Sequence, residues 1–91
     1  MEKIKIEKLS KIDIEKRGIP CWPIWEKEIS KFPWTYDQSE ECYILKGEVE
    51  VEAEGKKYTI KTGDFVTFAK ELSCVWNIKS PIRKHYNFRH C

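Results

Sequence analysis

From residue 40 to residue 68 the chain reads EECYILKGEVEVEAEGKKYTIKTGDFVTF, three runs of alternating or apolar β-formers punctuated by Gly47, Glu54-Gly55 and Gly63-Asp64. Glu40, Cys42 and Ile44 share one face of the first run, and Glu41, Tyr43 and Leu45 share the other. Both faces are partly apolar, so this strand is expected to be covered on both sides. Lys46-Gly47 reads as a turn. Val49 and Val51 then point inward, with Glu48, Glu50 and Glu52 in water. Glu54-Gly55 is a tight hairpin signal, after which Tyr58 and Ile60 continue the inward face. Beyond the turn at Thr62-Gly63-Asp64 come Val66 and Phe68, and then a strand in which Cys74, Trp76 and Ile78 alternate with Val75 and Asn77. Ser80-Pro81 reads as a further turn. In the last strand Lys84, Tyr86 and Phe88 face the apolar side, and Arg83, His85 and Asn87 form a wet face.

Upstream, Ile4 and Ile6 alternate with charged residues, as in a short edge strand with both facing inward. Ser10 has the character of an N-cap, with Asp13 in capping-box position. Gly18 suits the position just past a helix end, and Pro20 and Pro23 forbid continuation, so the expected helix is brief. In the aromatic segment WPIWEKEISKFPWTY, Trp25 and Ile29 share one alternation. Phe32, Trp34 and Tyr36 share another, out of phase, which requires a turn or bulge at Ser30-Lys31. Pro33 fits an edge or bulge, where its missing N–H is not needed. Short strands separated by glycine turns predict an all-β sandwich or barrel in one domain. Its strand and helix lie within residues 1–19 and its barrel spans about residues 22–88.

Composition narrows the function classes. A chain of 91 residues, 41% hydrophobic, builds one core. A net charge of +2 supplies no broad field for nucleic acid or membrane. The opening MEKIKIEK has no apolar leader region, and no segment approaches the roughly 20 apolar residues of a span. A cytoplasmic protein is expected, with Cys21, Cys42, Cys74 and Cys91 as reduced thiols. The lack of a C-x-x-C pair speaks against a zinc ribbon.

The spacing of Glu40, Gly47 and Gly63-Asp64 resembles the first conserved motif of the cupin superfamily running into its second. The stretches WPIWEKE, CYILKGEVEV, GDFVTF and RKHYN resemble the small single-domain branch that shares its domain with ureidoglycine aminohydrolase-type proteins. The resemblance runs from Trp22 to Phe88 and implies a small jelly-roll barrel. It implies a catalytic metal only where histidines stand. Here Trp34 and Tyr36 fall on the first two histidine positions, and Cys74 on the third. Glu40 and Cys74 alone are fewer ligands than a stable site needs, and the spacing of His85 and His90 adds nothing. The expectation is therefore no metal and no cofactor. Tyr43 and Leu45, on the outer face of a central strand, fit a sheet-on-sheet contact either within the subunit or across a dimer, and because cupins commonly dimerise the resemblance implies a homodimer.

The inward positions then gather Trp34, Tyr36, Glu40, Cys42, Cys74 and Trp76 at one mouth, a lining suited to a small polar organic ligand. Trp34, Tyr36, Cys42 and Trp76 are the candidate binding residues; Glu40, Lys84 and Cys74 are the candidates for catalysis. Glu40 is either desolvated among rings and tuned as an acid or base, or half-solvated and hydrogen-bonded to a tyrosine. Lys84, on an apolar face, invites Glu40 as a partner; the pair either positions a carboxylate or carbonyl substrate, or Lys84 acts as a nucleophilic amine, or it snorkels to the rim. Cys74 is either a nucleophile or a small buried hydrophobe, and Cys42 reads as core. Trp22 and Trp25, beside Pro20 and Pro23, read either as an exposed aromatic patch or, more often for such residues, as plugs for the barrel end.

Three functions compete: a metal-independent cupin enzyme, a non-catalytic small-molecule binding or sensing module, and a single-strand nucleic-acid binder. The last would use Lys79, Arg83, Lys84 and Arg89, but Glu48, Glu50, Glu52 and Glu54 would repel phosphate.

Overall fold

The computed structural model describes residues 3–89. In chain order it contains β1 (Ile4–Lys8), α1 (Lys11–Lys16), a 3-10 turn (Ile19–Cys21), β2 (Ile24–Lys27), β3 (Ser30–Thr35), β4 (Ser39–Ala53), β5 (Lys56–Lys61), β6 (Asp64–Phe68) and β7 (Ser73–Arg89). All pairings are antiparallel, in the order β1-β6-β4-β7-β2, with β3 also on β7 and β5 also on β4. Among the described residues no helix is long and apolar enough to cross a membrane.

The two long strands shape the molecule. β4 and β7 pair from Ser39↔Arg89 to Glu52↔Val75, with irregularities between Ile44 and Val49. Lys46-Gly47 is therefore a bulge inside one strand, and Ser80-Pro81 lies within β7; neither is the turn that the sequence pattern suggested. The pattern misleads because apolar alternation resumes on the far side of a bulge just as it does after a turn. At this corner Gly47 has φ +100°, and a Cβ built there would lie 2.3 Å from the Pro81 carbonyl oxygen. Only glycine lets the strands approach this closely.

The bend folds the sheet over itself. Trp76 and Lys84 are eight residues apart on β7, about 26 Å in a straight strand, yet the Lys84 ammonium lies 4.7 Å from the Trp76 ring centre. The interior is filled by Ile44, Val49, Val51, Ile60, Val66, Phe68, Leu72 and Ile78. The Glu54-Gly55 hairpin is present, with φ 51° and 78°.

The outer face of the β4–β6–β7 region is covered by the N-terminal segment. Ser10 caps α1 by accepting from the Asp13 N–H, and Gly18 takes the left-handed conformation. The chain then lays Trp22 against Phe65 with 6.4 Å between ring centres, and Arg17 over the same ring. His85, expected on a wet face, is instead buried, with Nδ1 2.9 Å from the Trp22 carbonyl oxygen. Nothing local to RKHYN reveals that a distant segment folds back over it. Two smaller expectations also change. Ile6 is exposed while Ile4 is buried, and the break between β2 and β3 falls at Glu28-Ile29, before Ser30-Lys31.

Candidate functional site

Strand register assembles the site. On β4 and β7, Glu40 faces Phe88, Cys42 faces Tyr86, and Ile44 faces Lys84. Directly paired residues point to the same side of a sheet, so all six share the inner face. The Lys84 side chain runs back along this face to Glu40. Its Nζ donates to Glu40 Oε2 at 2.9 Å and to Cys42 Sγ at 3.2 Å, and Cys42 Sγ donates to the same Glu40 oxygen at 2.8 Å. Across the other edge of β7, Trp25 pairs with Lys84, which puts its ring 5.0 Å from the ammonium. The cation is thus held between two indoles, a carboxylate and a sulfur.

Glu40 and Lys84 form the floor of a cavity of about 240 Å³. Among the described residues, they are its only charged lining. Trp25, Phe32 and Trp76 form one aromatic wall, with Phe32 and Trp76 stacked at 6.3 Å. Trp34, Tyr36, Tyr86 and Phe88 complete the lining. Trp34 and Phe88 stand at the rim, 48% and 42% exposed. Deeper, the Tyr36 hydroxyl accepts from Trp76 Nε1 at 3.1 Å, and the Tyr36 ring stacks on Phe68 at 4.7 Å.

Electrostatics follows from this packing. Burial works against the Lys84 ammonium, but the electrostatic and hydrogen-bond contributions of Cys42 and Glu40 outweigh it and hold its pKa above the ordinary lysine value. Burial pushes the Cys42 thiol up to about 12, the Lys84 charge only partly offsetting it. At neutral pH Cys42 is therefore a thiol, and Glu40 is the anion that answers Lys84. Burial likewise raises Cys74, to about 11, and raises Tyr36 far above its usual range.

The sequence-predicted residues thus divide. Trp34, Tyr36, Glu40, Trp76 and Lys84 share the cavity lining. Cys42 sits behind the ion pair, outside the lining, and Cys74 is also outside it, donating to the Trp34 carbonyl oxygen at 3.6 Å. Trp25, read as a plug, is part of the wall, whereas Trp22 packs on the opposite outer face. Phe32, Tyr86 and Phe88 were not expected as lining. The signal was present, since Phe32 shares the alternation of Trp34 and Tyr36, and Tyr86 and Phe88 share that of Lys84.

A metal of the histidine-bound kind does not fit these residues. Among the described residues no group of three or more His, Cys, Asp or Glu side chains is placed to hold an ion. The nearest candidates, Glu40 and Cys42, are already bonded to an ammonium that would repel a second cation. His85 lies on the other face at the Trp22 carbonyl, and His90 and Cys91 lie outside the described residues.

Comparison with known proteins places this geometry in a family. The EutQ-like cupin domain model matches residues 15–86. The crystal structure of a DUF861 family protein from Thermotoga maritima is 53% identical with a TM-score of 0.93, the match covering 94% of this chain and 99% of that one. A putative ethanolamine utilization protein Q from Salmonella typhimurium is 24% identical with a TM-score of 0.64 over 91% of this chain and 66% of that one, which shows the fold alone. The same holds for a predicted oxalate decarboxylase from Thermotoga maritima, at 17% identity and a TM-score of 0.57 over 91% of this chain and 76% of that one. No curated protein matches the chain. With its bent jelly-roll sheet, and a family match over residues 15–86, the chain belongs to the EutQ-like cupin domain family.

Proposed function

We propose that this cupin binds a small metabolite in the barrel mouth without a metal, its rings or apolar parts against the aromatic walls and its polar end on Glu40 and Lys84. The observation that carries the reading is a single buried ion pair on the floor of an otherwise aromatic, open cavity. Aromatic walls with a few convergent polar groups are the usual makeup of a ligand site. At about 240 Å³ the cavity lies below the roughly 300–1,000 Å³ of drug-sized sites, which favours a compact metabolite.

Binding is favoured over covalent catalysis. A nucleophile must be deprotonated, and both Cys42 and Cys74 are held as thiols while Lys84 is held as an ammonium. A metal-independent enzyme remains the second reading. It is favoured by Glu40, whose Oε1 accepts no described hydrogen bond and is available for proton transfer. The nucleic-acid reading loses support because Lys84 is buried, which splits the basic run. A homodimer is the oligomeric expectation, read directly by light scattering on a sizing column.

The test is intrinsic fluorescence. Trp25, Trp34 and Trp76 line the cavity, and Trp22 does not. A panel of compact metabolites should shift or quench this emission saturably, and Trp25→Leu should weaken the response. A panel that leaves emission and melting temperature unmoved would remove the binding role.

A further inference from the structure

We infer that the cavity takes an uncharged, planar ligand whose polar edge carries a hydrogen-bond acceptor beside a donor, as in a primary amide, a lactam or a hydroxy-carbonyl. The inference rests on the small-molecule reading and names its ligand class.

The argument begins with donors and acceptors. An ammonium has three hydrogens. Lys84 gives two of them to Glu40 Oε2 and Cys42 Sγ, which leaves one without an acceptor among the described residues. Glu40 accepts both of its bonds on Oε2, so Oε1 has no described partner. Lys84 and Glu40 both line the cavity. The lining therefore holds one donor and one acceptor without a described partner, on two side chains whose paired atoms are 2.9 Å apart.

Charge then selects among ligands that satisfy them. The pair is already compensated: Glu40 is the anion, Lys84 the cation, and Cys42 a neutral thiol behind them. A carboxylate ligand would answer the spare ammonium hydrogen but set a second anion beside Glu40. An amine or amidinium would answer Oε1 but set a second cation beside Lys84. Either buries a net charge in an aromatic cavity, which is costly. Aromatic walls by themselves would suit an organic cation. Here that place is filled from within, since the Lys84 ammonium lies 4.7 Å and 5.0 Å from the Trp76 and Trp25 ring centres. An uncharged edge meets both free groups without adding charge. A planar body matches the Phe32–Trp76 stack in the wall.

Three molecules of one shape test this: benzamide, benzoate and benzamidine, which are neutral, anionic and cationic. Binding is followed by amide chemical-shift titration of the labelled full chain at pH 7 and by tryptophan emission. Benzamide is expected to bind about tenfold or more tightly than the other two, with its shifts centred on Glu40, Trp76 and Lys84. Glu40→Gln leaves the floor positive and should move the preference to benzoate. Lys84→Met leaves it negative and should move the preference to benzamidine. If either variant fails to fold, the wild-type ranking decides alone. A wild-type preference for benzoate or benzamidine overturns the neutral-edge inference while leaving the cavity a binding site. No binding by any of the three also overturns it, and if the wider metabolite panel is silent too, the small-molecule reading falls with it.

Discussion

The Lys84 ammonium and a Glu40 carboxylate oxygen lie 2.9 Å apart, on side chains 7% and 6% exposed. Each is held by the other's charge. Removing one partner strands a buried ion, which costs about 3–5 kcal/mol, whereas replacing both with apolar groups is often neutral. Lys84→Met and Glu40→Leu are each expected to destabilise by about that much, and the double variant by far less than their sum. Urea unfolding of the four proteins measures the coupling. Simple additivity would mean that the two charges do not stabilise each other.

The barrel corner makes a separate prediction. Gly47→Ala places a methyl 2.3 Å from the Pro81 carbonyl oxygen and 2.8 Å from the Ile82 Cα, at φ +100°. Backbone atoms on both sides leave nothing flexible to yield, so a loss of about 3 kcal/mol is expected. Gly55→Ala is the control. Its φ is +78° but no atom lies within 4 Å of the added carbon, so the loss should be about 1 kcal/mol. Thermal melts should show the first variant well below the second.

Stability should fall in alkali, with an onset set by thiols. Cys42 ionises near 9.0 when unfolded and near 12 when folded. Below pH 9 both states hold the proton and the group is neutral to stability. Between those values the unfolded chain releases a proton that the fold retains, so stability drops by about 1.4 kcal/mol per pH unit. Cys74 adds the same sign between 9.0 and about 11. Lys84, raised above 10.5 by its negative partners against the opposing effect of burial, adds it at higher pH. Denaturant midpoints from pH 8 to 11 should decline for the wild type and less steeply for Cys42→Ala. A slope unchanged by that substitution would reject the assignment.

Native thiol labelling separates the cysteines without any variant. Cys21 is exposed, while Cys42 and Cys74 are buried and protonated. Iodoacetamide at pH 8, followed by peptide mass mapping, should modify Cys21 in the folded protein and Cys42 and Cys74 only after denaturation. Rapid native labelling of Cys74 would restore it as a candidate nucleophile.

The inner face was legible because a strand has period two. Counting along β4 and β7 puts Glu40, Trp76 and Lys84 on one side, and an ion pair follows from a lysine that must find an acid. What alternation does not encode is where a strand bends. The corner at Gly47 and Pro81 reads locally as two turns, and only the cross-strand register shows two continuous strands. His85 was misplaced for a related reason. Its neighbours are polar, and its cover comes from Trp22, 63 positions away. Likewise, nothing in the run of Cys42 tells whether its sulfur lines the cavity or props the pair from behind.

The hub position of β7 has a bearing on how the chain folds. β2, β3 and β4 all hydrogen-bond to it, and it is the latest strand in chain order. During synthesis those earlier segments must wait, with Trp25, Phe32 and Trp34 lacking the strand they pack along, until Ser73–Arg89 has emerged. Such long-range pairing slows folding and lengthens the time that apolar edges stay uncovered. The closing of this barrel is thus a single late event, timed by the appearance of one strand.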